Sequence, residues 1–175
     1  VAKILNPERI VVVPDMAAGC SLADGCPAGE LRQWKAKYPG SVVVSYINCS
    51  AEVKAESDII CTSSNAEAVI RSVPEGQQIL FAPDKNLGRY LVKKTGRDMV
   101  LWQGSCIVHE LYTAADLRAY RAQDPEVKII AHPECTPEVV AEADFTGSTG
   151  GIIDWVAKHR PAKAMLVTEC SMASN

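Results

Sequence analysis

The feature of this sequence that most constrains its fold is an internal repeat with an offset of 86 residues. Without a gap, that offset places LRQWKAKYP (residues 31–39) on LRAYRAQDP (residues 117–125). The register continues through the following loop, where Cys49 corresponds to Cys135 and Asp58 to Asp144. Because self-similarity that persists through loops indicates duplicated structural units, the chain is predicted to contain two copies of one unit.

Short β-branched runs alternate with segments of helical periodicity along the chain. Strands are predicted near residues 10–13, 42–46, 58–61, 78–82, 98–101, 127–131, 144–146 and 164–168. Helices are predicted near residues 29–38, 50–56, 65–72, 85–94, 114–123, 137–142 and 149–158. This alternation is typical of βαβ units, so the predicted fold class is α/β, with repeated three-layer α/β/α (Rossmann-like) domains and parallel sheets.

The repeat also predicts a domain division. Residues 1–24 are interpreted as the remnant of a first α/β/α domain, residues 25–106 as a second, and residues 107–175 as a truncated third. Both ends of the sequence lie inside element-like phrases, so we expect the chain to be an internal part of a longer protein.

Charge and hydropathy exclude several kinds of partner. A net charge of -3 without a Lys/Arg-rich stretch gives no reason to expect nucleic acid or an anionic membrane surface. The apolar runs are far shorter than the roughly 20 residues of a membrane-spanning helix. Seven cysteines in an α/β pattern typical of cytosolic proteins favour metal or redox chemistry over a disulfide framework. We expect a small-molecule ligand.

The repeat offset carries Cys20 onto Cys106, in the phrases MAAGC and WQGSC. Ligands of open α/β sheets gather at the carboxyl ends of the strands, and equivalent cysteines there could bring thiolates from separate domains together. Cys20 and Cys106 are therefore predicted to be metal ligands, although each alone could be a structural cysteine. A further step of the same offset predicts a third such cysteine beyond residue 175.

The other cysteines are interpreted differently. Cys49 and Cys135 each begin a predicted helix, and Cys61 and Cys170 lie in or just after apolar strands, where cysteine commonly packs. Cys26 lies near enough to Cys20 to compete with it as a ligand.

Polar phrases follow the equivalent strands 42–46 and 127–131, and they differ between the copies, as an asymmetric site requires. His132 and Glu134 offer an imidazole that could hold an anion when protonated and a carboxylate that could move protons. Tyr46 and Asn48 supply a phenol and an amide at the equivalent strand end. Taken alone, any of these could be an ordinary surface or turn residue.

Two hydroxyl-rich turns precede predicted helices: CTSSNAE, which contains Ser63, and TGSTGG, which contains Ser148 and Thr149. Free N–H groups and the helix dipole make such turns suitable for carboxylates and phosphates. The alternative is that these residues are simple helix caps.

The sequence resembles the quinolinate synthase family over essentially its whole length. The phrases that carry the resemblance are AKILNPE, VVVPDMAAGCSLAD, SYINCSAEVKAESDIICTSSNA, LFAPDKNLGRYL, WQGSCIVHE, AHPECTPEVV and GSTGGI. The resemblance implies three similar domains about a pseudo-threefold axis. It also implies a 4Fe–4S cluster held by one cysteine from each domain, among them Cys20 and Cys106.

The resemblance further implies a reaction and residue roles. The expected substrates are iminoaspartate, supplied by L-aspartate oxidase, and dihydroxyacetone phosphate, in the cytoplasm. Glu134 is expected to shuttle protons with help from Tyr46 and His132. The residues expected to bind substrate are Tyr46, Asn48, Ser63, His132, Glu134, Ser148 and Thr149.

Two other functions remain open from the residues alone. The first is a cluster-free enzyme that handles phosphosugars through its Ser/Thr turns, and the second is a metal-free binding domain.

Overall fold

The computed structural model describes residues 1–174 and contains two parallel β-sheets. The four-stranded sheet has the order β2-β1-β3-β4, and the three-stranded sheet has the order β6-β5-β7. The strands are β1 (Val42–Tyr46), β2 (Ile59–Cys61), β3 (Ile79–Ala82), β4 (Met99–Leu101), β5 (Lys128–Ala131), β6 (Phe145–Thr146) and β7 (Ala164–Val167). The alternating, parallel α/β architecture predicted from the sequence is confirmed.

Helices connect these strands. They are α1 (Ala2–Leu5), α2 (Ser21–Asp24), α3 (Ala28–Ala36), α4 (Ala51–Glu56), α5 (Ala66–Ser72), α6 (Lys85–Thr95), α7 (Ile107–Glu110), α8 (Ala114–Gln123), α9 (Pro137–Glu142) and α10 (Thr149–His159), followed by a 3₁₀ helix at Cys170–Ser174. Side-chain caps fix several starts: Asp84 accepts from the Leu87 N–H of α6, and Thr113 accepts from the Asp116 N–H of α8. Gly96, at φ 71°, ends α6 in the left-handed conformation that glycine adopts without strain.

The central strands of the larger sheet are buried on both faces, as helix-covered parallel sheets are. Val44 and Phe81 belong to one apolar cluster, whereas Val43 and Leu80 belong to another. Because successive side chains point to opposite faces of a strand, these two clusters lie on opposite sides of the sheet. This explains why the strand sequences are continuously apolar and not alternating.

The 86-residue repeat reappears in the contacts of the two units. The Asp58 carboxylate accepts the Val43 N–H at 2.8 Å, and Asp144 accepts the Ile129 N–H at 2.8 Å. The ion pair between Arg32 and Glu56 has its counterpart between residues 118 and 142, and both measure 2.6 Å. Helices α2 and α7 correspond residue for residue, as do α4 and α9.

The offset changes by one residue at the last strand. Val42 pairs with Ile79 in the first unit, whereas Lys128 pairs with Ala164 in the second, one position earlier than the repeat requires. The connection through α10 is therefore one residue shorter than its counterpart through α5.

One predicted strand is wrong. Residues 10–13 form no strand, and Ile10 and Val12 are 92% and 83% exposed. A strand needs a neighbour for its backbone hydrogen bonds, and no other described strand lies beside this segment. The predicted division at residues 24/25 and 106/107 stays a prediction. Among residues 1–174, the helices all fall short of the length and apolarity needed to cross a membrane.

The Asp144 contact leads to a stability prediction. Burial alone would raise the pKa of Asp144, but the Ile129 N–H and Arg121 hold it below its ordinary value. We expect Asp144→Asn to lower the free energy of unfolding near neutral pH by about 1–2 kcal/mol, since hydrogen bonds to charged groups contribute about 1.5–3 kcal/mol and solvent screens a partly exposed carboxylate.

A depressed native pKa stabilises the fold above the unfolded-state pKa of about 3.9, and the contribution is lost as the pH falls through the native value. The difference between Asp144→Asn and the wild type should therefore shrink in urea titrations carried out below about pH 4. Asp154→Asn, which changes an exposed residue of α10, is the matched control. A difference that does not depend on pH would contradict this account.

Candidate active site

A cleft of about 520 Å³ lies where the carboxyl ends of the two sheets meet. Tyr46 ends β1, His132 follows β5, and Thr168 follows β7, and all three line the cleft. This is the edge at which parallel α/β sheets bind ligands. The cleft brings together all but Ser63 and Ser148 of the predicted site residues: Cys20, Tyr46, Asn48, Cys106, His132, Glu134 and Thr149.

Glu134 lies at the centre of the polar contacts in the cleft and is 3% exposed. Its Oε1 accepts a 2.7 Å hydrogen bond from the Tyr46 hydroxyl, which comes from the other sheet. The Asn86 side-chain amide donates to its backbone carbonyl at 3.2 Å. Burial would raise the pKa of Glu134, but His109, His132 and the Tyr46 hydroxyl hold it below its ordinary value. Glu134 is therefore an ionised carboxylate in a buried setting.

Tyr46 is the side-chain hydroxyl that donates to the Glu134 carboxylate. Burial, and then the charge of Glu134, raise the pKa of the Tyr46 phenol above its ordinary value, against the opposing effect of a hydrogen bond with Ser63. The phenol consequently keeps its proton and donates a hydrogen bond to Glu134 Oε1.

His109 is a site residue that the sequence analysis missed. Its side chain is buried, its Nδ1 lies 3.4 Å from Glu134 Oε2, and its Nε2 lies 3.1 Å from the Thr168 hydroxyl. Burial would lower the pKa of His109, but the Cys106 and Glu134 side chains raise it to about 9. The one local signal is the C-x-x-H spacing from Cys106 to His109, because Glu134 and Thr168 lie far from His109 in the sequence.

His132 lies in the cleft beside His109, and its surroundings favour the uncharged imidazole. Its ring stacks on that of His109 with centroids 5.0 Å apart, and the side chain is buried. Burial lowers the pKa of His132 to about 4, and the neighbouring His109 acts in the same direction, whereas Glu134 opposes them. These pKa directions favour a neutral His132, whose Nδ1 accepts from the Glu134 N–H at 3.4 Å, and a protonated His109 beside Glu134.

The two loops that carry Cys20 and Cys106 are tied together by hydrogen bonds. The Ser21 hydroxyl accepts from the Ile107 N–H at 3.2 Å and donates to the Ser105 carbonyl at 3.4 Å. The buried Asp84 carboxylate accepts the Cys106 N–H at 3.2 Å and the Leu87 N–H at 2.6 Å. Both cysteines are free thiols that line the same cleft. Their shared position therefore depends on contacts between the two loops that the sequence alone does not reveal.

The two hydroxyl-rich turns take different positions. Thr149 lines the cleft, but the Ser148 hydroxyl accepts from the Gly151 N–H and caps α10. Ser63 reaches the Tyr46 hydroxyl, although helix α5 begins at Ala66 with Asn65 as its N-cap. Uncharged polar side chains thus reach the cleft from both units, with Asn48 from the first and Thr149 from the second. The contact of Ser148 is that of a helix cap.

Comparison with known proteins finds a family match along the whole chain. The family described as "Quinolinate synthetase A protein" matches residues 1–175. Proteins named quinolinate synthase are 54% identical in Gloeothece citriformis and 52% in Synechocystis, each over 96% of this chain, and 52% identical in Chloroherpeton thalassium over 98% of it. The matches cover 52–53% of those relatives, so the chain spans about half their length.

Proposed function

The chain belongs to the quinolinate synthetase A protein family, and from that premise we propose that the protein it represents condenses iminoaspartate with dihydroxyacetone phosphate to quinolinate in NAD biosynthesis. Phosphate and water are released. The supporting observation is that Glu134, Tyr46 and His109 share one cleft with Cys20 and Cys106. We further propose that the protein works in the cytoplasm and that L-aspartate oxidase supplies the iminoaspartate.

Cys20 and Cys106 would hold a 4Fe–4S cluster, with the third thiolate coming from outside these 175 residues. The donor set fits the group, because both thiols are free, partly exposed and directed to one cleft. Cys thiolates are the usual protein ligands of such clusters. When bound, a cluster with one iron free of protein ligands supplies a Lewis acid that polarises a substrate oxygen. The partly exposed positions distinguish these thiols from Cys26, which is 0% exposed and whose pKa burial raises to about 12.

Glu134 is the proposed proton shuttle. An ionised carboxylate can accept a proton from a substrate carbon or hydroxyl group and return it to a leaving oxygen. His109 would hold the carboxylate ionised, and the Tyr46 hydroxyl would orient Oε1. Neutral His132 offers a hydrogen bond to a substrate oxygen without adding charge. The two histidines thus have different roles, one electrostatic and one for orientation.

The uncharged donors would bind the anionic groups of the two substrates. Asn48 and Thr149 line the cleft from opposite units, and Ser63 reaches it through Tyr46. We propose that Asn48 and Ser63 bind the iminoaspartate carboxylates and that Thr149 and His132 bind the triose phosphate, with Ser148 shaping the turn. We also propose that the parent protein, meaning the longer protein to which this chain corresponds, has three domains, and that the two repeated units of this chain belong to them.

Product formation tests this function. The parent protein, prepared anaerobically with iron and sulfide, is incubated with dihydroxyacetone phosphate and iminoaspartate generated in the assay. We expect quinolinate and an equal amount of phosphate, and neither product when one substrate is left out. A colourless, iron-free protein that converts a phosphosugar without iminoaspartate would establish the cluster-free alternative instead.

A further inference from the structure

Three side chains of the cleft lie close enough to share one metal ion. A ligand atom of Cys106, one of His109 and one of Glu134 all lie within 4.8 Å of one another. Zinc bonds of about 2.0–2.3 Å place the ligand atoms of a tetrahedral ion about 3.2–3.8 Å apart. His109 Nδ1 and Glu134 Oε2, at 3.4 Å, already have that spacing. The Cys106 ligand atom lies within 4.8 Å of the other two, so it has about 1 Å to move to reach the spacing of a tetrahedral zinc site.

The Nδ1 atom of His109 is the second, independent sign of a ligand. His109 is 5% exposed, and among the described residues its Nδ1 makes no hydrogen bond of ordinary geometry, although it lies 3.4 Å from Glu134 Oε2. The protonated His109 directs Nδ1–H at the negative Oε2 of Glu134, and if that proton leaves while Nε2–H donates to the Thr168 hydroxyl, Nδ1 directs a lone pair there. Two electron-rich atoms at that distance require a cation between them, which is either a proton or a metal ion.

The surrounding contacts are those of ligands that are already oriented. The Tyr46 hydroxyl donates to Oε1 of Glu134, so Oε2 is the oxygen that faces His109. The hydrogen bond between Nε2 and the Thr168 hydroxyl fixes the orientation of the His109 ring. Metal-binding histidines commonly donate their other ring N–H to a neighbouring acceptor in this way, and ligating carboxylates are themselves hydrogen-bonded. An acidic or cysteine-rich surface patch would not show such support.

We propose that Cys106, His109 and Glu134 bind one Zn²⁺ ion in the cluster-free protein. The Cys106 thiol and the protonated Nδ1 of His109 each release a proton to solvent, His109 then binds through Nδ1, and a water molecule completes the tetrahedron. The ion and an iron–sulfur cluster compete for the Cys106 sulfur, so zinc would delay cluster loading. The zinc site itself stands on side-chain geometry, and only this competition depends on the proposed cluster.

Titration with Co²⁺, followed by displacement with Zn²⁺, tests the site on the iron-free parent protein under reducing conditions. We expect one Co²⁺ per chain, with thiolate-to-cobalt charge transfer and the visible bands of tetrahedral coordination. His109→Asn and Cys106→Ser should each weaken binding by more than tenfold. Thr168→Val, which removes the support of His109, should weaken it about 10–100-fold. Controls are His159→Asn and Cys170→Ser, which change exposed residues and should have no effect.

Two results would overturn the zinc site. If Cys20→Ser abolished Co²⁺ binding while His109→Asn preserved it, the thiol pair alone would hold the metal. If no one-to-one complex formed and nitrogen-resolved NMR showed a proton on His109 Nδ1, the cation in the cleft would be a proton only. Circular dichroism of each metal-free variant checks folding. If Cys106→Ser unfolds, the Co²⁺ affinity of Thr168→Val is the deciding measurement, because valine and threonine have nearly the same size, and an unchanged affinity would contradict the site.

Discussion

Glu134→Gln is expected to lower kcat for quinolinate formation by about 10²–10⁴-fold while the protein keeps its iron. Glutamine has the shape of glutamate and can still accept from the Tyr46 hydroxyl, but it cannot take up and return a proton. The buried carboxylate is held ionised by His109, so its loss removes the proposed base and leaves the cation unpaired. Steady-state kinetics of the cluster-loaded parent protein, with iron analysis of the same sample, measure this effect.

The matched control is Glu138→Gln, which makes the same chemical change at an exposed position of α9. It should leave kcat and iron content unchanged. If Glu134→Gln lost iron in proportion to activity, Glu134 would be supporting the cluster site and not moving protons. If it kept full activity, the proposed role of Glu134 would be wrong.

Cys106→Ser and Cys20→Ser are each expected to reduce cluster content and quinolinate formation to background. A serine hydroxyl stays protonated near neutral pH and cannot replace a thiolate as an iron–sulfur ligand. Iron and sulfide analysis, visible absorption and product assay on the anaerobically reconstituted parent protein measure the two effects together.

Cys26→Ala tests the alternative that Cys26, and not Cys20, is the cluster ligand near the start of the chain. The Cys26 thiol is buried, and burial raises its pKa to about 12, so this variant should keep its cluster even if its stability falls. Loss of the cluster in Cys26→Ala and retention in Cys20→Ser would reverse the assignment of these two residues.

The sequence was sufficient for features that depend on local periodicity and on the repeat. The equivalence of Cys20 with Cys106 and of Asp58 with Asp144 needs only the offset. The segment 10–13 has the composition of a strand but not its environment, because a strand also needs a neighbour to pair with. The one-residue shift at β7 depends on the length of the connection through α10, which no local pattern specifies.

The electrostatics of the cleft could not be predicted because they depend on contacts between residues that are far apart in the sequence. Glu134 is 3% exposed and contacts Tyr46 and His109, neither of which is near it in the sequence. The same packing lowers the pKa of His132 and raises that of His109. Sequence reasoning found Tyr46, His132 and Glu134 at the strand ends. It missed His109, whose importance comes from its contacts with Glu134 and Thr168.

Anomalous X-ray diffraction at the iron edge, on crystals of the anaerobically prepared parent protein, tests the central claim most directly. That claim is that Cys20 and Cys106 jointly hold one iron–sulfur cluster at the cleft that contains Glu134. We predict a single group of iron peaks, bonded to both sulfurs and open towards Glu134 and Tyr46. Iron bonded to Cys26, Cys49 or Cys61, or iron in separate sites at Cys20 and Cys106, would contradict it.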